Sequence, residues 1–191
     1  MSKAGAAKGA IRVAGVVSDS IVDGPGLRMT VFVQGCLHGC DGCHNPGALP
    51  LDGGREVTAE ELLAELDSNP LLDGVTLSGG EPLMQAGALI PFAEGVRARG
   101  LDLAVYTGWT FEELLAGAGG GLGSGGAGGA KDILALLGFA STLVDGPFLK
   151  EQKTMLLPFR GSKNQRILDV GKSLAEGRAV LSDDPAWVTA L

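Results

Sequence analysis

Short β-branched apolar runs alternate with capped helical stretches along most of this 191-residue chain, and that alternation limits the fold more than any other feature. Ile11–Val17 and Arg28–Val33 read as strands. Thr58-Ala59-Glu60-Glu61 is a capping box that opens a helix with Leu62, Leu63 and Leu66 on one face, and Asn69-Pro70 ends it. Val75–Ser78 is a short buried strand stopped by Gly79-Gly80. The pattern then repeats: a helix over 86–99, a strand Leu103–Thr107, a second capping box at Thr110-Phe111-Glu112-Glu113, a short helix Lys131–Leu137 and a strand Ser141–Val144. Strands alternating with helices predict βαβ units, right-handed crossovers and a parallel sheet. Ligands bind such sheets beyond the carboxyl ends of the strands. Three loops follow strands in this way: the segment after Val33, Gly79-Gly80-Glu81-Pro82, and Tyr106-Thr107-Gly108. All three are expected at one edge.

The first of these loops carries every cysteine in the chain, in Gly35-Cys36-Leu37-His38-Gly39-Cys40-Asp41-Gly42-Cys43-His44-Asn45-Pro46. An odd, tightly clustered set is not a disulfide framework. Three thiolates on one loop call for a metal, and the spacing leaves more than one choice. Zinc would take a fourth ligand, His38 or His44. An iron–sulfur cubane held by three thiolates would leave one iron free to chelate a small amino-carboxylate and pass it an electron. A dithiol pair at Cys40-Asp41-Gly42-Cys43 would leave Cys36 without a role.

The length fits one domain over residues 1–191, and 45% hydrophobic against 19% charged residues is enough for a core without disulfide staples. Nine of the fourteen residues at 117–130 are glycine, which reads as a flexible surface insertion. Its Gly121-x-Gly123-x-x-Gly126 matches a dinucleotide fingerprint by letters only, because no strand precedes it. A net charge of −7 argues against nucleic acid as a partner. Seven of the 15 Lys and Arg residues nevertheless fall between Lys150 and Arg178, a locally basic stretch. No apolar run reaches the ~18 residues that span a bilayer. Lys3 and Lys8 precede no apolar signal segment, since Arg12 interrupts it. No membrane association and a cytoplasmic location are therefore expected.

Cys36-x3-Cys40-x2-Cys43, followed after the next strand by Gly79-Gly80-Glu81-Pro82, resembles the radical S-adenosylmethionine enzymes. Asp23-Gly24-Pro25-Gly26-Leu27-Arg28 and Cys43-His44-Asn45-Pro46 narrow the resemblance to activases of glycyl-radical enzymes. Leu143–Phe148 and Phe159–Arg166 are similar to the branch that serves anaerobic ribonucleotide reductase. The resemblance runs from about Ile21 to Val170, with the glycine tract as an insertion. It implies an α/β fold of the partial, open βα-barrel type. It also implies a 4Fe–4S cluster on Cys36, Cys40 and Cys43, with S-adenosylmethionine on the open iron. Gly79, Gly80 and Glu81 would receive the methionyl amino group, and the backbone of Gly42, Cys43 and His44 would line the adenine. Many radical enzymes carry an aromatic where Gly42 stands.

The implied reaction is one-electron cleavage of S-adenosylmethionine to methionine and a 5′-deoxyadenosyl radical, which takes hydrogen from a glycine of the large reductase subunit. The electron would come from a low-potential donor such as flavodoxin or ferredoxin, and hydrogen abstraction needs no acid or base. Arg160, Lys163 and Arg166 are candidates for docking the reductase. Two rival readings stand beside this one. The first is an activase of another glycyl-radical enzyme or a small radical synthase. The second is a non-catalytic Cys3His zinc-binding module.

Overall fold

The computed structural model describes residues 9–117 and 129–189. Most of the glycine tract, with its fingerprint-like glycines, lies outside the described residues, as do Lys3 and Lys8. The strands are β1 (Ile11–Ser20), β2 (Arg28–Val33), β3 (Arg55–Val57), β4 (Gly74–Gly79), β5 (Asp102–Tyr106), β6 (Thr142–Asp145) and β7 (Arg166–Asp169). The helices are α1 (Ala59–Asp67), α2 (Ala86–Ala98), α3 (Phe111–Leu115), α4 (Ala130–Leu137), α5 (Val170–Glu176) and α6 (Pro185–Val188). Both predicted capping boxes form. Thr58 and Thr110 each accept from the backbone N–H three residues on, while Glu61 and Glu113 reach back to the capping N–H.

All seven strands join one sheet in the order β3-β1-β2-β4-β5-β6-β7. Only β2, β4, β5 and β6 run parallel to their neighbours within this order. β1 pairs antiparallel with β2 and with β3, and β7 pairs antiparallel with β6, so the expected all-parallel sheet is corrected to a mixed one. The reason lies in the connections. Residues 21–27 between β1 and β2 are too few for a crossover, which needs a dozen or more, and so they close a hairpin. The two end strands β3 and β7 do not pair with each other among the described residues, so the sheet is open.

The parallel strands advance in one direction, and right-handed crossovers then put every crossover helix on the same face. Met29, Val31, Val33, Val75, Leu77, Leu103, Val105 and Leu143 point to that face. There they form the main core with Leu62, Leu66, Leu89, Phe92, Val96, Ile133 and Leu136 of α1, α2 and α4. The residues between them, including Arg28, Thr30, Phe32, Thr76, Ser78, Ala104, Tyr106 and Val144, face the other way.

That inner face is sealed at the amino edge of the sheet by a second, smaller core of Ala104, Val144, Ile167 and Trp187, with Tyr106 and Phe159 against it. Arg28 is 1% exposed here. Its guanidinium donates to Thr76 Oγ1 at 2.8 Å and Val75 O at 2.7 Å, pairs with Asp102 at 2.7 Å, and lies 5.5 Å from the Trp187 ring centroid. A buried cation is tolerated when its donors are met in this way. Among the described residues no helix is long and apolar enough to cross a membrane.

Candidate functional site

At the carboxyl ends of the parallel strands the inner face opens into a cavity of about 660 Å³, within the range of small-molecule sites. Its wall includes Cys36, Cys40, Cys43, His44, Gly79, Gly80, Tyr106, Thr107 and Gly108, so the three predicted loops do meet at one edge.

The cysteine loop is held from both sides. Gly35 N–H donates to Ala48 O at 2.7 Å and Cys36 N–H to Leu49 O at 3.1 Å, while Cys43 N–H donates to Cys40 O at 3.2 Å. Gly39 and Gly42 precede the second and third cysteines with φ of +63° and +70°, left-handed conformations that a side chain would oppose. Asn45 N–H donates to Cys43 Sγ at 3.4 Å.

The three cysteines are half-buried and unbridged. Burial pushes the Cys36 thiol up to about 11. A hydrogen bond from the His38 backbone opposes the rise, and the charges of Glu81, Cys40 and Cys43 add to it. A thiol raised by burial and by neighbouring negative groups is poorly placed alone and well placed beside a cation, which reverses the balance and deprotonates it. Among the described residues no three His, Cys, Asp or Glu side chains converge closely enough to hold a single ion. The fit to a multi-iron cluster therefore rests on the shared cavity wall and on the negative surroundings of Cys36.

Gly79 and Gly80 are glycines for steric reasons. A Cβ at Gly79 would sit 2.5 Å from Val33 N, and one at Gly80 would strike Gly35 O. Glu81, expected beside an ammonium, is placed beneath the wall and is fully buried. Its Oε2 accepts from His38 Nε2 at 2.8 Å, Gly108 N–H at 2.9 Å and Thr107 Oγ1 at 3.0 Å, and its Oε1 accepts from Leu83 N–H at 3.0 Å. A carboxylate offers about four lone pairs, so the protein itself uses this one up. Glu81 thereby ties the cysteine loop to the loops after β4 and β5.

His38 stands between Glu81 and the Trp109 ring, whose centroid is 4.4 Å away, and it packs directly on Gly108. His44 lines the cavity with its ring 4.6 Å from Phe148. Gly42 is not part of the described wall; the Lys150 stem lies against it.

Tyr106, Phe159 and Arg160 lie in segments the sequence singles out, but their meeting on one cavity wall has no sequence signal. Tyr106 hydroxyl donates to Phe159 O at 3.0 Å, and Phe159 holds a φ of +54°, the one positive value outside glycine among the described residues. Arg166, expected as a docking residue, is already engaged with Asp145 and with Glu112, the latter at 2.6 Å. Its charge closes the fold.

An open α/β sheet whose carboxyl edge gathers three cysteines of one loop around a cavity has the layout of a cofactor-binding protein. The family described as a 4Fe-4S single cluster domain matches residues 22–168. The anaerobic ribonucleoside-triphosphate reductase-activating protein of Vibrio cholerae is 35% identical over 155 residues, which cover 77% of this chain and 90% of that one. On both counts the chain belongs to the family of anaerobic ribonucleoside-triphosphate reductase-activating proteins, within the 4Fe-4S single cluster group. The pyruvate formate-lyase-activating enzyme of Clostridium pasteurianum is 42% identical over 113 residues, 54% of this chain and 48% of that enzyme. Among solved structures, QueE from Escherichia coli aligns at 18% identity over 53% of this chain and 54% of its own, with a TM-score of 0.41.

Proposed function

We propose that this chain is a radical S-adenosylmethionine activase that installs the glycyl radical on an anaerobic ribonucleotide reductase. The observation that carries the reading is the single cavity wall shared by Cys36, Cys40, Cys43 and the Gly79-Gly80 turn. When bound, a 4Fe–4S cluster and S-adenosylmethionine supply one-electron cleavage of the sulfonium and a 5′-deoxyadenosyl radical that takes hydrogen from the partner's glycine.

The chain's own residues bind, orient and exclude water. Cys36, Cys40 and Cys43 would hold the cluster, with Asn45 N–H donating to Cys43 Sγ. The bare backbone of Gly79 and Gly80 lets the methionyl ammonium approach carbonyl oxygens closely. Glu81 fixes that turn from below, rather than meeting the ammonium itself. Backbone at Cys43 and His44 lines the adenine, with Gly42 supporting the turn from outside the wall. Phe32, Leu157 and Phe159 give part of the cavity an apolar lining, which helps keep water from a reactive radical. No side chain is asked to move a proton.

Four parallel strands advancing one way, with the crossover helices on one face, support reading the sheet as a partial βα barrel whose open side the reductase covers. Residues 1–191 act as one domain in the reducing cytoplasm, taking electrons from a low-potential donor such as flavodoxin or ferredoxin. The zinc alternative is weakened because His38, one of its two possible fourth ligands, already engages Glu81 through Nε2.

Electron paramagnetic resonance on anaerobically reconstituted, dithionite-reduced protein tests the reading. A reduced 4Fe–4S signal that shifts on adding S-adenosylmethionine is expected. A zinc-loaded protein, or a cluster signal indifferent to S-adenosylmethionine, would overturn it.

A further inference from the structure

The described wall of the cavity contains a single guanidinium, Arg160, and a single carboxylate, Asp23, and the two do not pair. The other arginines withdrawn from solvent are neutralised: Arg12 by Glu56, Arg28 by Asp102, and Arg166 by Asp145 and Glu112. Arg160 has no such partner among the described residues. Its one side-chain hydrogen bond runs from Nε to Pro158 O at 3.3 Å, which leaves both terminal nitrogens with open donors. Burial pulls its pKa down, opposed in part by Tyr106, and no carboxylate among the described residues neutralises it.

Arg160 is also well fixed. Tyr106 hydroxyl pins the carbonyl of Phe159, the Phe159 ring packs 5.3 Å from Trp187, and Gly161 N–H donates to Gln165 Oε1 at 2.9 Å. The unusual backbone of Phe159 therefore sits immediately before an unpaired, partly desolvated cation at a cavity. Backbone strain of this kind gathers where a ligand is met.

The missing counter-charge has a recognisable chemistry. A guanidinium presents a planar fork that matches a carboxylate with two parallel N–H···O bonds. A phosphate dianion would call for further cations, and the described wall offers no lysine and no second arginine.

We propose that Arg160 is the receptor for a ligand carboxylate in this cavity. This rests on the activase reading, which provides two sources: the methionyl carboxylate of S-adenosylmethionine, or a carboxylate of the reductase chain that enters with its glycine.

The test uses full-length reconstituted protein, wild type against Arg160→Gln and Arg160→Lys, all checked for circular dichroism and cluster content. Titration of the reduced cluster with S-adenosylmethionine, followed by its electron paramagnetic resonance shift, reads the first source. Affinity for the purified reductase reads the second. If the cofactor supplies the carboxylate, Arg160→Gln weakens S-adenosylmethionine at least about tenfold, while its decarboxylated analogue binds wild type and variant alike. If the reductase supplies it, S-adenosylmethionine affinity stays within about twofold and reductase affinity falls at least about tenfold. Arg160→Lys recovers part of either loss, because it keeps the charge without the fork. Both affinities within about twofold of wild type in a folded, cluster-loaded Arg160→Gln would overturn the proposal. A wild-type signal that ignores S-adenosylmethionine would instead sink the activase reading beneath it.

Discussion

Glu81 shows how much one side chain settles at this site. Its carboxylate collects donors from His38, Thr107, Gly108 and Leu83, so removal strands four buried groups at once. Glu81→Ala is expected to cost about 3 kcal/mol of unfolding free energy, measured by urea titration, since each unmet buried donor carries a penalty. Glu81→Gln keeps the shape and replaces one acceptor with a donor, and a loss of about 1 kcal/mol is expected. Gly108→Ala approaches the same joint from its other side. A Cβ there would stand 2.5 Å from His38 Cδ2, pushing the ring off Glu81 and off Trp109. The expected result is a loss of about 1–3 kcal/mol with reduced iron content after reconstitution. The Gly-Gly-Glu sequence marked the right turn. What it did not reveal is the direction of the Glu81 side chain, because that direction is decided by a histidine 43 residues away.

At the level of elements, the Arg166 clamp joins β7 to β6 and to α3. Arg166 reaches fully buried Asp145 and half-exposed Glu112, and Asp145 also accepts from Phe111 N–H at 2.8 Å. Arg166→Met would leave Asp145 buried and charged. We expect about 3 kcal/mol of destabilisation by chemical denaturation, and a smaller loss when Asp145→Asn accompanies it. The elements legible in the sequence are those with a countable period or a cap: β2, β4, β5 and β6 by their apolar runs, α1 and α3 by their capping boxes. β3 and β7 escaped notice for a physical reason. β3 has three residues with only Val57 buried, and β7 places Ile167 and Leu168 on opposite faces between two charged ends, so neither shows an alternation. α6 is a single turn whose one buried residue, Trp187, acts entirely through tertiary contact. The antiparallel pairing of β1 with β2 follows from their short connection and was open to the same arithmetic that identified the crossovers, whereas the connection from β6 to β7 is long enough for a crossover and its length does not decide the direction.

The molecule as a whole is built from two faces of one sheet with different duties. The outer face carries the large core and holds the fold together. The inner face is small and sealed at its amino edge, and it opens at its carboxyl edge into the cavity. Trp187 is the keystone of that seal, 2% exposed, with the Arg28 guanidinium over its ring and Phe159 meeting it edge to face. Trp187→Ala is expected to cost about 3–5 kcal/mol by thermal or urea unfolding. It should also loosen the Phe159–Arg160 segment, seen as faster amide exchange there. The position of Trp187 bears on how the protein is made. A ribosome releases the cysteine loop and the Gly79-Gly80 turn long before it reaches residue 187. The floor of the inner face is thus synthesised after the loops it supports, and a chain released before residue 187 would possess Cys36, Cys40 and Cys43 but lack the turn that closes the site from below.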